Sequence, residues 1–270
     1  MKNLITRAIS GIVYIALIIG AIYLGTSWTA VLMAIFGALA MYEYHRMAVL
    51  DQGYTPVRLL SFALAEIAAF LIILSPVSGL FGMLLMAAGI SVCVMLRFVL
   101  TLYDSKSPSA LGDLGHWVLS VLYVSLPLAC AVWLDYERIL LPVFVMIWLN
   151  DTGAYCTGSL LGRHRLFERL SPKKSWEGFW GGMLFCVGGG IATAYWGNTG
   201  VHNVWIWVGA GILTCIFSTW GDLFESLIKR TYHMKDSGNI IPGHGGILDR
   251  IDSLLFVAPV ILLYFILLAF

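Results

Sequence analysis

The chain has 270 residues, of which 60% are hydrophobic and 11% charged, with a mean hydropathy of +0.87 and a formal net charge of +1. No soluble core of this size could hide so much apolar side chain, so an ordinary soluble domain is excluded and an integral membrane protein is expected. The near-balance of acids and bases argues against nucleic acid as a partner. Cys93, Cys130, Cys156, Cys186 and Cys215 lie far apart in apolar segments with no CxxC pair, and read as small buried hydrophobes.

In chain order, runs long enough to span a hydrocarbon core of about 30 Å fall near 8–24, 28–47, 57–75, 79–100, 115–134, 139–160, 176–196, 203–228 and 253–269. The first follows Lys2 and Arg7 but lacks a convincing small-x-small cleavage site, so it is expected to stay as a helix. The expected class is therefore all-α, a polytopic membrane protein of about nine transmembrane helices. With the N-terminus cytoplasmic and the C-terminus outside, fifteen of the sixteen Lys and Arg residues fall on inner segments and only Arg138 falls outside. No internal repeat or linker divides the chain, so one membrane domain over 1–270 is expected. It would comprise five N-terminal spans over 1–140 and a catalytic half over 141–270, with cytoplasmic loops at 161–175 and 229–252.

Ionisable residues within the spans differ in what surrounds them. Glu66 stands alone in the third span and reads as a protonated or hydrogen-bonded packing residue. Glu43, His45 and Arg46 lie near an inner helix end, where a solvated or snorkelling end is expected. Asn150-Asp151, followed by Thr152-Gly153-Ala154-Tyr155, fits either interhelical hydrogen bonding or a cavity wall that contacts nucleotide. In the loop Ser171-Pro172-Lys173-Lys174-Ser175-Trp176-Glu177-Gly178, Pro172 shapes a turn, and the two lysines suit topology, anionic lipid or phosphate. Six glycines of the next span suit close helix packing.

Polar residues concentrate in Gly221–Ser253, where eleven are Asp, Glu, Lys, Arg or His. A continuous helix there puts Asp222, Glu225, Ser226 and Lys229 at i, i+3, i+4 and i+7, on one face. The following loop carries Lys235-Asp236-Ser237-Gly238 and Pro242-Gly243-His244-Gly245-Gly246, glycine-rich enough to bring backbone N–H groups close to an oxyanion. Asp249 and Asp252 begin the last helix three residues apart, so both could face Asp222. Carboxylates converging with cations suggest Mg²⁺ holding phosphate oxygens, because hard oxygen ligands select hard cations.

At these residues the chain resembles the phosphatidate cytidylyltransferases, or CDP-diacylglycerol synthases. The family pattern over 226–252 is met without departure, from Ser226-Leu-Ile-Lys229-Arg230 through Lys235-Asp236-Ser237-Gly238 to His244-Gly245-Gly246-Ile-Leu-Asp249-Arg250-Ile-Asp252. The likeness extends to Asn150–Tyr155, Ser171–Gly178 and Gly221-Asp222, whereas 1–140 matches only as generic spans.

That resemblance implies a membrane nucleotidyltransferase making CDP-diacylglycerol and pyrophosphate from CTP and phosphatidate. Mg²⁺ would be its cofactor, K⁺ a candidate second ion, and a second copy of the chain a candidate partner in the membrane lipid. Asp222 and Asp249 would be the metal carboxylates and, with Lys229, the catalytic residues. Asn150, Asp151, Lys173, Lys174, Ser226, Arg230, Lys235, His244 and Arg250 would bind substrate. The expected location is a bacterial inner membrane with the site facing the cytoplasm. Two rivals are weaker: a transporter usually shows internal repeats and midplane charges, and the aspartate-rich DGxxAR-type motif of the CDP-alcohol phosphotransferases is absent from the sequence.

Overall fold

The apolar runs expected to span the bilayer fall on helices in the computed structural model, which describes residues 2–49, 53, 55–104, 109–241 and 245–268; the first helix begins six residues, and the last five residues, before its expected run. The helices are α1 (Lys2–Leu24), α2 (Thr26–Ala48), α3 (Pro56–Leu74), α4 (Gly79–Tyr103), α5 (Ala110–Ser120), α6 (Leu126–Tyr136), α7 (Leu140–Leu161), α8 (Trp176–Trp196), α9 (Val204–Thr231) and α10 (Leu248–Leu268). Local chemistry sets several starts. Pro56 opens α3 behind Thr55, whose hydroxyl accepts the Arg58 amide; Ser175 caps α8 by accepting from Gly178 N; Asn203 caps α9 by accepting from Trp205 N.

The fifth run is interrupted. Between α5 and α6 the chain widens into a π turn at Val121–Ser125, where Leu126 N donates to Val121 O. Pro127 follows at once and can donate no amide, so the wider turn absorbs the break without ending the rod.

Among the described residues six helical stretches are long and apolar enough to cross a membrane: Thr26–Ala48, Pro56–Val77, Gly79–Tyr103, Ala110–Tyr136, Val204–Thr231 and Leu248–Leu268. These make the chain an all-α, multi-pass membrane protein. α7 is diluted by Asn150-Asp151-Thr152 and α8 by its glycines and Glu177, while α1 contributes a shorter apolar stretch, Ile9–Leu24.

The chain groups into two compact units, Met1–Val132 with Asp236–Arg250, and Trp133–Lys235 with Ile251–Phe270. In the first, α2 packs on α1, α3 and α5, and α4 packs on α3 and α5, around buried Met33, Met41, Tyr44 and Ile73. In the second, α8 packs between α7 and α9, while Trp207 of α9 meets Phe265 of α10 with ring centroids 5.1 Å apart. Bare glycine surfaces make the α7–α8–α9 contacts possible. A Cβ on Gly178 would lie 2.9 Å from the Ala154 carbonyl, and one on Gly211 would lie 2.8 Å from the Cys186 carbonyl.

Polar segments hold two departures from a plain helix-and-loop reading. In the connection 161–175 the chain forms a short antiparallel hairpin, β1 (Arg165–Phe167) with β2 (Ser171–Ser175), pairing Arg165 with Ser175 and Phe167 with Ser171. The last helix begins at Leu248, inside the expected connection 229–252, and carries Asp249 and Asp252 in its first turns together with Arg250.

Candidate functional site

The second unit holds a cavity of about 510 Å³ whose wall includes Asn150 and Asp151 of α7, Lys173 and Lys174 of β2, and Ser218 and Asp222 of α9. Helix proximity builds it. Gly182 of α8 carries no side chain where Asn150 Oδ1 approaches, and Asn150, 5% exposed, donates from Nδ2 to Ser218 Oγ at 3.3 Å. That bond serves the interhelical reading of Asn150, and the cavity wall serves the other.

Lys174 reaches across from the hairpin to α9. Its Nζ lies 2.8 Å from Asp222 Oδ2, with the side chains 25% and 40% exposed. It also donates to Thr219 O at 3.5 Å. Solvent screens such a pair, so its value lies in placing a carboxylate and an ammonium on one wall rather than in stability. Lys173, and Arg165 of β1, add cations to the same wall and make no ion pair among the described residues. The hairpin itself is tied to α8: Trp176 N donates to His164 O at 2.9 Å, and the Glu177 carboxylate accepts from Arg163 N at 3.1 Å and His164 N at 3.2 Å.

α9 is unbroken through its polar face, as the spacing requires. Ser226 Oγ donates to Asp222 Oδ1 at 3.4 Å, and Lys229 Nζ donates to Glu225 Oε2 at 2.6 Å. Glu225 is buried, at 2% exposed, and Lys229 half-buried, at 12%, so Glu225 holds the Lys229 ammonium on the helix face. Across from Asp222, the bare Cα of Gly221 faces the Asp252 carbonyl and Ser253. Asp252 is thereby brought within electrostatic range of Asp222, Asp151 and Lys174.

The loop of the first unit is built round two carboxylates. Asp249 Oδ2 accepts from Ser237 N at 3.1 Å, Ser237 Oγ at 3.0 Å and Gly246 N at 2.8 Å. Glu43 of α2 accepts from Ile247 N at 3.0 Å, Leu248 N at 2.9 Å and Ser237 Oγ at 2.9 Å. Glu43 is 0% exposed, so the expected solvated helix end is corrected: the loop covers it and supplies its donors. Gly245 takes a left-handed φ of +85°, and a Cβ on Gly246 would run into Ser237 and Glu43.

Of the remaining expected site residues, Arg230 donates to Met234 O at 3.1 Å near the end of α9, and Lys235 is exposed. The exposed Arg250 accepts at its carbonyl from Tyr14 OH, 2.9 Å away. His244 lies outside the described residues. Arg165, Ser218 and Glu43 were not expected in the site. Arg165 and Ser218 are simple polar residues of common type. Glu43 reads in sequence, with His45 and Arg46, as part of a polar helix end, and only the distant loop shows it to be buried.

Among the described residues no group of three or more His, Cys, Asp and Glu side chains could by itself hold a metal ion. A magnesium ion is commonly held by only one or two carboxylates, with substrate phosphates and water supplying the rest. Asp222, part-exposed on a cation-lined wall with Asp151 and Asp252 nearby, fits that manner of binding.

Comparison with known proteins bears on the whole chain. A model of the cytidylyltransferase family matches residues 5–268. Proteins named phosphatidate cytidylyltransferase from Staphylococcus aureus strain COL and from Staphylococcus haemolyticus are each 38% identical over 172 residues, 62% of this chain and 66% of theirs. One from Staphylococcus epidermidis strain RP62A is 37% identical over the same length. The alignment thus spans just under two thirds of these relatives.

Proposed function

Since the chain belongs to the cytidylyltransferase family, we propose that it transfers the cytidylyl group of CTP to the phosphate of phosphatidate, releasing pyrophosphate and forming CDP-diacylglycerol. The observation that carries the reading is the cavity where Lys173, Lys174 and Arg165 share a wall with Asp222. Its surroundings suit a polyphosphate brought to a membrane helix.

In the reaction an oxygen of the lipid phosphate bonds to the α-phosphorus of CTP, and the bond from that phosphorus to the bridging oxygen breaks, leaving pyrophosphate. A phosphate monoester has a second pKa of about 6, so its attacking oxygen is already anionic near neutral pH and needs no strong base. The work left to the protein is to bring two anions together and hold them in line. Lys173, Lys174 and Arg165 offset phosphate charge on the cavity wall. Lys229, Arg230, Lys235, His244 and Arg250 are proposed as further phosphate contacts, with Ser226, Asn150 and Asp151 in the substrate-binding set. Asp222 and Asp249 are the residues proposed to hold Mg²⁺, with K⁺ as a candidate second ion. When bound, Mg²⁺ neutralises the triphosphate and stabilises the departing pyrophosphate. Lys174, paired with Asp222, keeps that carboxylate turned to the cavity.

The finer topology belongs to the same reading. We propose nine spans with the N-terminus cytoplasmic, the C-terminus outside and the site on the cytoplasmic face of an inner membrane, supported by fifteen of sixteen basic residues on inner segments. The test is pyrophosphate release by the purified protein in detergent, given phosphatidate, CTP and Mg²⁺ and then each omitted in turn. Release that needs all three, with equal CDP-diacylglycerol formed, is expected. No release from folded protein across several phospholipids and divalent ions would overturn the reading.

A further inference from the structure

Glu43 lies in α2, almost two hundred residues before the polar loop, yet its carboxylate supplies acceptors to that loop. One oxygen takes the Ile247 amide, and the other takes the Leu248 amide and the Ser237 hydroxyl. Ile247 and Leu248 stand at the start of α10, where amides have no partner within the helix and the dipole favours an anion. Beside it, Asp249 takes the Ser237 and Gly246 amides. The Ser237 hydroxyl lies 2.9 Å from Glu43 and 3.0 Å from Asp249, but it has only one proton. The two carboxylates are thus coupled: each has two backbone donors, and they share the hydroxyl.

Little slack exists in this arrangement. Cβ atoms on Gly238 or Gly246 would collide with Glu43, so both glycines are bare where the carboxylate lies. Arg46, one turn along α2, donates to the Ser237 carbonyl at 3.4 Å and fixes the same segment. Asp249 therefore cannot turn without breaking bonds to Ser237 and Gly246.

We propose that Glu43 is a positioning residue for the reaction: it clasps Ser237 to the start of α10 at Ile247 and Leu248 and, through Ser237, sets the orientation of the Asp249 carboxylate. It touches no substrate. The kinetic part of this inference rests on the cytidylyl-transfer reading, whereas the clasp does not.

The test uses the full chain in detergent with Glu43→Gln, Ser237→Ala and the double variant. Glutamine keeps the shape but turns an N–H toward a backbone donor, so one buried amide loses its acceptor. Backbone hydrogen exchange over 245–248 should quicken in Glu43→Gln while α2 and α3 keep their protection. Turnover should fall at least about tenfold in kcat, with KM for CTP little changed. The double variant should lose little more than Glu43→Gln alone, because the two residues act through one hydroxyl.

Unchanged exchange over 245–248 in Glu43→Gln would overturn the clasp. Quickened exchange with undiminished kcat, or additive losses in the double variant, would overturn the positioning role, as would a uniform loss of protection through α2 and α3. If the parent protein itself turns over no CTP with phosphatidate, the transfer reading and the positioning role fall together, and the exchange arm still decides the clasp.

Discussion

Gly221→Ala tests how closely the placement of Asp222 depends on the approach of α9 to α10. A methyl at this position would lie 2.5 Å from the Asp252 carbonyl oxygen and 3.1 Å from Ser253 Cα, and both neighbours are backbone, which cannot swing aside. Ordinary contact begins at 3.4 Å, so the helices must part by about 0.9 Å (3.4 less 2.5) next to Asp222. Helix propensity favours alanine by about 1 kcal/mol, whereas overpacking of this kind costs about 1–3 kcal/mol. The steric cost prevails, and a modest fall in thermal midpoint in detergent is expected. The larger effect is catalytic, since a misplacement of about 1 Å can cost about a hundredfold. Pyrophosphate release should fall by about ten- to a hundredfold. Gly188→Ala is the control, because nothing lies within 4 Å of a Cβ at Gly188. Full activity and an unchanged or raised midpoint in Gly221→Ala would refute the reasoning.

Other substitutions probe the remaining groups. Asp222→Asn and Asp249→Asn should each nearly abolish pyrophosphate release while the protein still inserts and purifies; near-normal turnover in either removes that residue from the proposed metal set. Lys229→Met leaves the Glu225 carboxylate, 2% exposed, without its ammonium, a loss expected to cost about 3–5 kcal/mol in thermal or denaturant stability. Pairing it with Glu225→Gln should restore the midpoint without restoring turnover, and recovery of turnover would show that Lys229 serves stability alone. Glu66→Gln in α3 should be mild in both assays; a severe loss of release from well-folded protein would contradict its packing role.

The sequence made the polar face of α9 legible because no Gly or Pro interrupts the helix between Asp222 and Lys229, so spacing alone places Asp222, Glu225, Ser226 and Lys229 together. The glycines of α8 were legible for a similar reason, as small residues at a membrane helix interface. Glu43 was not, since its partners, two backbone amides and the Ser237 hydroxyl, lie about two hundred residues away in sequence. The hairpin was also hidden. Ser171–Ser175 lacks the apolar alternation that marks a half-buried strand, and its burial follows the cap of α8 at Ser175. Hydropathy reads α7 and α8 as weaker membrane helices because the same Asn, Asp and Gly residues that build the cavity dilute their apolar character.

The tie between the β1–β2 hairpin and α8 has a mechanical consequence. Lys173 and Lys174 end in the Ser175 cap, the Trp176 amide is bound to His164, and Glu177 holds the amides of Arg163 and His164. Hairpin and helix start therefore move as one lever, so carrying the backbone of Lys173 and Lys174 away from the cavity means either tilting α8 or breaking this tie. A shift of that backbone would then run at the tempo of helix motion in the bilayer, slower than the flicker of a surface flap.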